Sequence, residues 1–163
     1  MAHEFTIRDG RIRDKEDAWN VWLQLARYNH RIGPEGFVLA EDGPEKFLKA
    51  FETFVRSRNK KAIVAEKNGK VIGILLGSIR RRHPFMRIRY QAYIDEIVVV
   101  ENERHMGVGT KLTENFIEWV RERNVPHITL FVFPENEPAL KLYKKFGFET
   151  IVLGQRKGFK GFK

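Results

Sequence analysis

The chain has 163 residues, 42% of them apolar and 31% charged, and a formal net charge of +9 at pH 7. That length and balance predict one domain over residues 1–163, large enough to enclose a core, and no run of eighteen apolar residues suggests a membrane span. Cysteine is absent, which excludes a disulfide framework and a thiol nucleophile. The opening residues hold no apolar stretch of the secretory kind, so a cytoplasmic location is expected.

In chain order, a first strand is expected at Phe5–Ile7, followed by a helix with Ala18, Val21, Trp22, Leu25 and Ala26 on one face and Asp14 or Asp17 as its cap. Gly33-Pro34-Glu35-Gly36 breaks that helix. A second helix begins after Gly43-Pro44, with Phe47, Leu48, Phe51, Phe54 and Val55 as its stripe. Two apolar runs, Ala62–Glu66 and Val71–Leu76, flank Asn68-Gly69, a hairpin signal. An arginine-rich connection leads to a strand at 91–100. A helix with Leu112, Phe116, Trp119 and Val120 on one face then runs to about Asn124. His127–Phe133 reads as a strand, Pro138–Phe146 as a helix and Phe148–Leu153 as a strand, with room for one more near the C-terminus. The order implies a mixed sheet covered by helices.

The most informative stretch is Arg104-His105-Met106-Gly107-Val108-Gly109, between the strand and the third helix. The first amides of a helix lack intrahelical partners and lie at the positive end of its dipole, so this turn is suited to a phosphate. Glycine lets the backbone approach such a group closely. The NTPase phosphate-loop pattern is absent, and Gly107-Val108-Gly109-Thr110-Lys111-Leu112 lacks the third glycine of the dinucleotide fingerprint.

Arg104-x-x-Gly107-x-Gly109 resembles motif A of the GNAT superfamily of N-acetyltransferases. Downstream, Asn136-x-x-Ala139-x-x-x-Tyr143-x-x-x-Gly147-Phe148 resembles its motif B. The likeness is clear over residues 62–153, and rests on the pattern of elements alone before that. It implies an α+β fold with a central mixed sheet of six or seven strands flanked by four helices. It also implies acetyl-coenzyme A as acyl donor. The pyrophosphate would be gripped by the backbone of Arg104, His105, Met106, Gly107, Val108, Gly109 and Thr110. The acyl carbonyl would be polarised by an amide of Ile97, Val98 or Val99. Asn136, also readable as a plain helix cap, and Ala139 would contact the cofactor arm. Tyr143 would be the general acid, since a phenol stays protonated at pH 7; its alternative is a packing residue.

A protonated amine is no nucleophile, so acetyl transfer needs a base. Strand alternation puts Tyr93, Asp95, Ile97 and Val99 on one face and Glu96 on the other. Related enzymes often draw the base from the face assigned to Asp95, which is favoured, with Glu96 second; pairing with an arginine of the 80–90 segment is the competing use of either. His83 and His127 have no partner at metal-ligand spacing, so no metal site is inferred.

The basic excess is local. Residues 80–90 hold Arg80, Arg81, Arg82, Arg87 and Arg89, and residues 154–163 hold Arg156, Lys157, Lys160 and Lys163, with no acid in either segment; these nine cations equal the net charge of +9. Three uses stay open: solvated segments around an acetyltransferase acting on a small amine, a polyamine or a peptide amino group; docking surfaces for an acidic or nucleic-acid-associated acceptor; or a basic binding module for nucleic acid or protein, in which aromatic interleaving grips the partner. Homodimerisation through sheet edges is common in the resembled family.

Overall fold

The computed structural model describes residues 5–32, 38–152, 154, 155 and 157. Five strands form one sheet in chain order: β1 (Thr6–Asp9), β2 (Lys60–Lys67), β3 (Lys70–Arg81), β4 (Tyr90–Val99) and β5 (Ile128–Leu130). The first four form an antiparallel meander, and β5 joins β4 in parallel. Four helices cover the sheet: α1 (Lys15–Ile32), α2 (Gly43–Arg56), α3 (Val108–Arg121) and α4 (Glu137–Lys145). None among the described residues is long and apolar enough to cross a membrane.

The β2–β3 hairpin turns where its sequence demands. Asn68 and Gly69 both have positive φ, 51° and 75°, as the tight turn matching strand twist requires. Side chains then alternate between two cores. Ile63, Ala65 and Leu75 pack under α3 with Val108, Leu112, Phe116, Trp119 and Val120. Val64, Ile74, Leu76 and Val98 face α1 and α2, meeting Ala18, Val21 and Phe51. Each fully buried Leu or Phe contributes roughly 1.5–3 kcal/mol. Helix α3 comes down hard on β3. A Cβ added at Gly77 would lie 2.1 Å from the Phe116 ring, so only a bare backbone lets that ring seat.

The ladder between β3 and β4 slips once. Leu76 pairs with Glu96, but Gly77 pairs with Ile94. Asp95 is therefore an extra residue on β4, a bulge that resets the side-chain phase. Before it, Ala92 and Ile94 face α3; after it, Ile97 and Val99 do. The parallel ladder to β5 also stops here, at Ile94 and Leu130.

Several expected elements differ. The strand expected to end at Phe133 stops at Leu130, because β4 bends away at the bulge. The arginine-rich connection is partly strand, since Arg80 and Arg81 pair with Gln91 and Tyr90. Residues 148–152 form no strand, so the described sheet has five strands rather than six or seven. Phe148 is otherwise engaged. Its N–H donates to the Tyr143 carbonyl at 3.2 Å and that of Gly147 to Lys144 at 3.0 Å, with Gly147 at φ 77°, the paired bonds that close a helix C-terminus. Leu153, the tail from Gly158 and the Gly33–Gly36 breaker, together with Phe37, lie outside the described residues.

Candidate active site

The loop between β4 and α3 is tied down at both flanks. Lys67 Nζ donates to both carboxylate oxygens of Glu103 at 2.9 Å, and Arg104 Nε donates to the Val99 carbonyl at 3.0 Å. His105 and Gly107 take positive φ, 64° and 84°, turning the chain into α3 at Gly107. Lys111 N–H makes the first helical bond, to Gly107 at 2.9 Å. The amides of Val108, Gly109 and Thr110 precede it and so have no intrahelical acceptor. No acid stands in the first turn, leaving the dipole's positive end uncompensated. A Cβ at Gly107 would meet nothing within 4 Å, so the left-handed backbone, not crowding, calls for glycine there. A Cβ at Gly109 would meet Leu142 at 3.4 Å and Val99 at 3.9 Å, ordinary contact distances, so packing does not demand glycine there. These features fit a pyrophosphate.

Beyond the bulge, β4 has β3 on one side and, among the described residues, an open edge on the other. The Val100 N–H donates to Ile72 on β3 at 2.9 Å, whereas the Val99 carbonyl points away, to Arg104. Alternation of backbone groups then turns the Ile97 and Val99 amides to the open edge and that of Val98 to β3. Of the three residues considered for carbonyl polarisation, Val98 is therefore turned the wrong way.

The open edge faces a cleft of about 590 Å³ between β4, the 131–133 segment, α1 and α4. Asp95, Glu96, Ile97, Asn136, Ala139 and Tyr143 all line it. The two carboxylates thus share one cleft, against the alternation argument that put them on opposite faces. The bulge is the reason, because the inserted residue brings its neighbour to the same side.

Their environments differ. Asp95 pairs with Arg80, whose guanidinium also sits 4.4 Å from the Tyr93 ring centroid, the arginine partnership considered from sequence. Its other oxygen, Oδ2, is buried with no hydrogen-bond partner among the described residues. Among the described residues Glu96 has no cationic partner. Burial raises its pKa to about 7, a hydrogen bond from the Trp22 indole opposes that rise, and the Asp95 charge adds to it. Tyr143 is 7% exposed. Burial, and then the nearby Glu96 charge, push its phenol well above the usual value near 10, so it stays protonated at neutral pH. Asn136 Oδ1 accepts from the Ala139 N–H at 3.3 Å, so its side chain caps α4.

Periodicity missed part of this site. Trp22 and Leu25 read as core stripe, yet both line the cleft. A tryptophan on an amphipathic face carries an N–H that needs a partner, which was the available signal.

Residues 17–148 match the model of the acetyltransferase (GNAT) family. An N-alpha-acetyltransferase of Sulfurisphaera tokodaii is 26% identical over 91% of this chain and 82% of its own length. An uncharacterized N-acetyltransferase of Methanocaldococcus jannaschii is 34% identical over 91% of this chain and 62% of its own length. Among solved structures, the aminoglycoside N-acetyltransferase AAC(6')-Iy in complex with CoA superposes with a TM-score of 0.72 at 19% identity, covering 94% of this chain and 95% of that one. A predicted acetyltransferase of Clostridium acetobutylicum with acetyl-CoA gives 0.75 at 16%, covering 95% and 96%. With an anion-ready helix start, an open strand edge and a matching family model over most of its length, the chain belongs to the acetyltransferase (GNAT) family.

Proposed function

We propose that the protein transfers an acetyl group from acetyl-coenzyme A to a primary amine by direct attack within a ternary complex. The carrying observation is that Ile97 on the open β4 edge and the trio Asp95, Glu96 and Tyr143 line one cleft, and that the same strand runs on, through the loop that Arg104 ties to the Val99 carbonyl, into the α3 N-terminus. The donor supplies a thioester carbonyl activated for acyl transfer. The free amides of Val108, Gly109 and Thr110 hold its pyrophosphate, with the loop from Arg104 to Gly107 shaping that cradle. The open-edge amides of Ile97 and Val99 are the donors available to the pantetheine arm and the thioester oxygen.

Glu96 is the base. Its pKa of about 7 lets it take the ammonium proton near neutral pH while remaining substantially ionised. Asp95, favoured from sequence, is the weaker candidate because Arg80 holds one oxygen. Its unpartnered Oδ2 suits it to orient the incoming ammonium. Tyr143 Oη donates a proton to the departing thiolate. Asn136 and Ala139 border the arm at the start of α4.

The relatives named N-alpha-acetyltransferase favour a peptide amino terminus as acceptor. The test is an acceptor panel with labelled acetyl-coenzyme A: peptides with free amino termini, amino acids, polyamines and aminoglycosides. Label transfer to peptide α-amines is expected. Labelled donor left intact with every amine would remove the activity, and transfer confined to polyamines or aminoglycosides would remove the peptide assignment.

A further inference from the structure

A second concave surface, of about 610 Å³, lies at the β3–β4 turn, lined by Arg80, Arg81, Arg82, His83, Met86 and Tyr93 among others. Arg80 is neutralised by Asp95. Among the described residues no carboxylate pairs with Arg81, Arg82, Arg87 or Arg89, although many other exposed cations have an acid, such as Lys46 with Asp42 and Lys111 with Glu114. These four charges also contribute nothing to either core. The turn carrying them is internally braced: Arg82 N–H donates to the Arg89 carbonyl at 2.8 Å, Met86 N–H to His83 at 2.9 Å, and His83 stacks on Phe85 at 5.0 Å. An ordered, uncompensated cluster of guanidinium groups is a receptor for carboxylates.

The surface adjoins the cleft through β4. Tyr93 lines the arginine surface, and Glu96, three residues on, lines the cleft. Three regular strand residues would span about 10 Å and the bulge at Asp95 shortens this to about 7–10 Å, which two or three residues of an extended peptide match. We propose that this surface docks an acidic acceptor: a peptide amino terminus with Asp or Glu about two to four residues behind the amine. This rests on the acetyl-transfer reading and narrows its acceptor. Polycationic amines such as polyamines and aminoglycosides are repelled by Arg81 and Arg82 on this surface and by Arg87 and Arg89 elsewhere in the turn. A polynucleotide would answer the charge but carries no aliphatic amine for the carboxylates next door.

The test uses the full chain and two fluorescent-tagged hexapeptides with the same free amino-terminal serine, followed either by Glu-Glu-Asp or by Gln-Gln-Asn. Acetylation of the acidic peptide should exceed that of the neutral one by about tenfold in kcat/KM, mainly through KM. The double variant R81E/R82E, altered at an exposed and a half-buried position, should bring that ratio to one or below, with melting temperature checking its fold. Equal use of the two peptides by the unaltered protein overturns the proposal, as does a preference that survives charge reversal. Peptide anisotropy separates the two readings. If no amine is acetylated but the acidic peptide binds the parent and not R81E/R82E, docking stands and acetyl transfer falls. If a single-stranded oligonucleotide binds more tightly than the acidic peptide at about 0.15 M salt, and R81E/R82E abolishes it, the surface belongs to nucleic acid and the proposal falls.

Discussion

Two pairs of carboxylates sit at opposite ends of this sheet, and the protein treats them in opposite ways. At the β1 end, Asp14 and Glu66 converge on Arg8. Arg8 donates to Asp14 at 2.7 and 2.9 Å and to Glu66 at 2.8 and 2.5 Å, and Asp14 also accepts from the Arg11 amide at 2.7 Å. Burial alone would raise the Asp14 pKa, but these hydrogen bonds outweigh it and bring it below its usual value. At the β4 bulge, Arg80 pairs with Asp95 and not with Glu96, which is left with an indole N–H. The side chains are chemically alike. Counting partners decides which carboxylate becomes a permanent anion that braces α1 and which stays poised to exchange a proton.

The sharpest way to break this contrast is E96Q. It should cut kcat/KM by roughly 100-fold or more at pH 8 and flatten the rising limb of the pH–rate profile, which in the parent should turn near pH 7. Retention of that limb would move the base elsewhere. The same variant carries a stability signature. The folded-state pKa of Glu96 is raised above its ordinary value of 4.5, so its contribution is most favourable below pH 4.5 and is lost as pH climbs through about 7. E96Q should therefore melt close to the parent at pH 4 and above it at pH 8.

A smaller catalytic loss is expected for Y143F, about tenfold to a hundredfold in kcat. Its acetyl-coenzyme A dissociation constant, read by calorimetry, should hardly change. An unaltered kcat would make Tyr143 a packing residue.

The β1 end should answer with stability rather than rate. R8A strands the nearly buried Asp14 carboxylate and should cost about 2 kcal/mol at pH 7 by urea unfolding. Because the Asp14 pKa is depressed, that contribution is present above its ordinary value of 3.8 and is lost as pH falls. The difference between R8A and the parent should thus shrink in acid. A gap independent of pH would mean that Arg8 acts through packing.

The mildest expected change is at the anion site. G107E forces a side chain into a left-handed backbone and sets a negative charge beside the free amides. It should weaken acetyl-coenzyme A binding by about tenfold, and unchanged affinity would remove the pyrophosphate from that turn.

Much of the architecture is visible in spacing alone. The α3 stripe Leu112, Phe116, Trp119 and Val120 is buried as its period requires, and Asn68-Gly69 turns the hairpin. Alternation fails at Asp95, since a bulge inserts a residue without changing any local preference. Only the Gly77 pairing reveals it, and pairing is a property of two strands. Phe148–Val152 likewise has the composition of a strand, but a strand also needs a partner, and here Phe148 closes α4 instead. The glycines of the turn proposed to hold the pyrophosphate were legible because backbone conformation is written in residue type. The partner that separates Asp95 from Glu96, on which the proposed choice of base rests, was not, because it depends on where Arg80 points.

The seating of Phe116 on the unsubstituted backbone of Gly77 has a mechanical corollary. Gly77 faces the strand position next to the inserted residue, so the ring clamps the third helix to the sheet at that level. The groups proposed for donor grip and proton transfer are mounted on a common block, whereas the arginine turn overhangs it. Selectivity can thus drift by rewriting the overhang while the reacting parts keep their spacing.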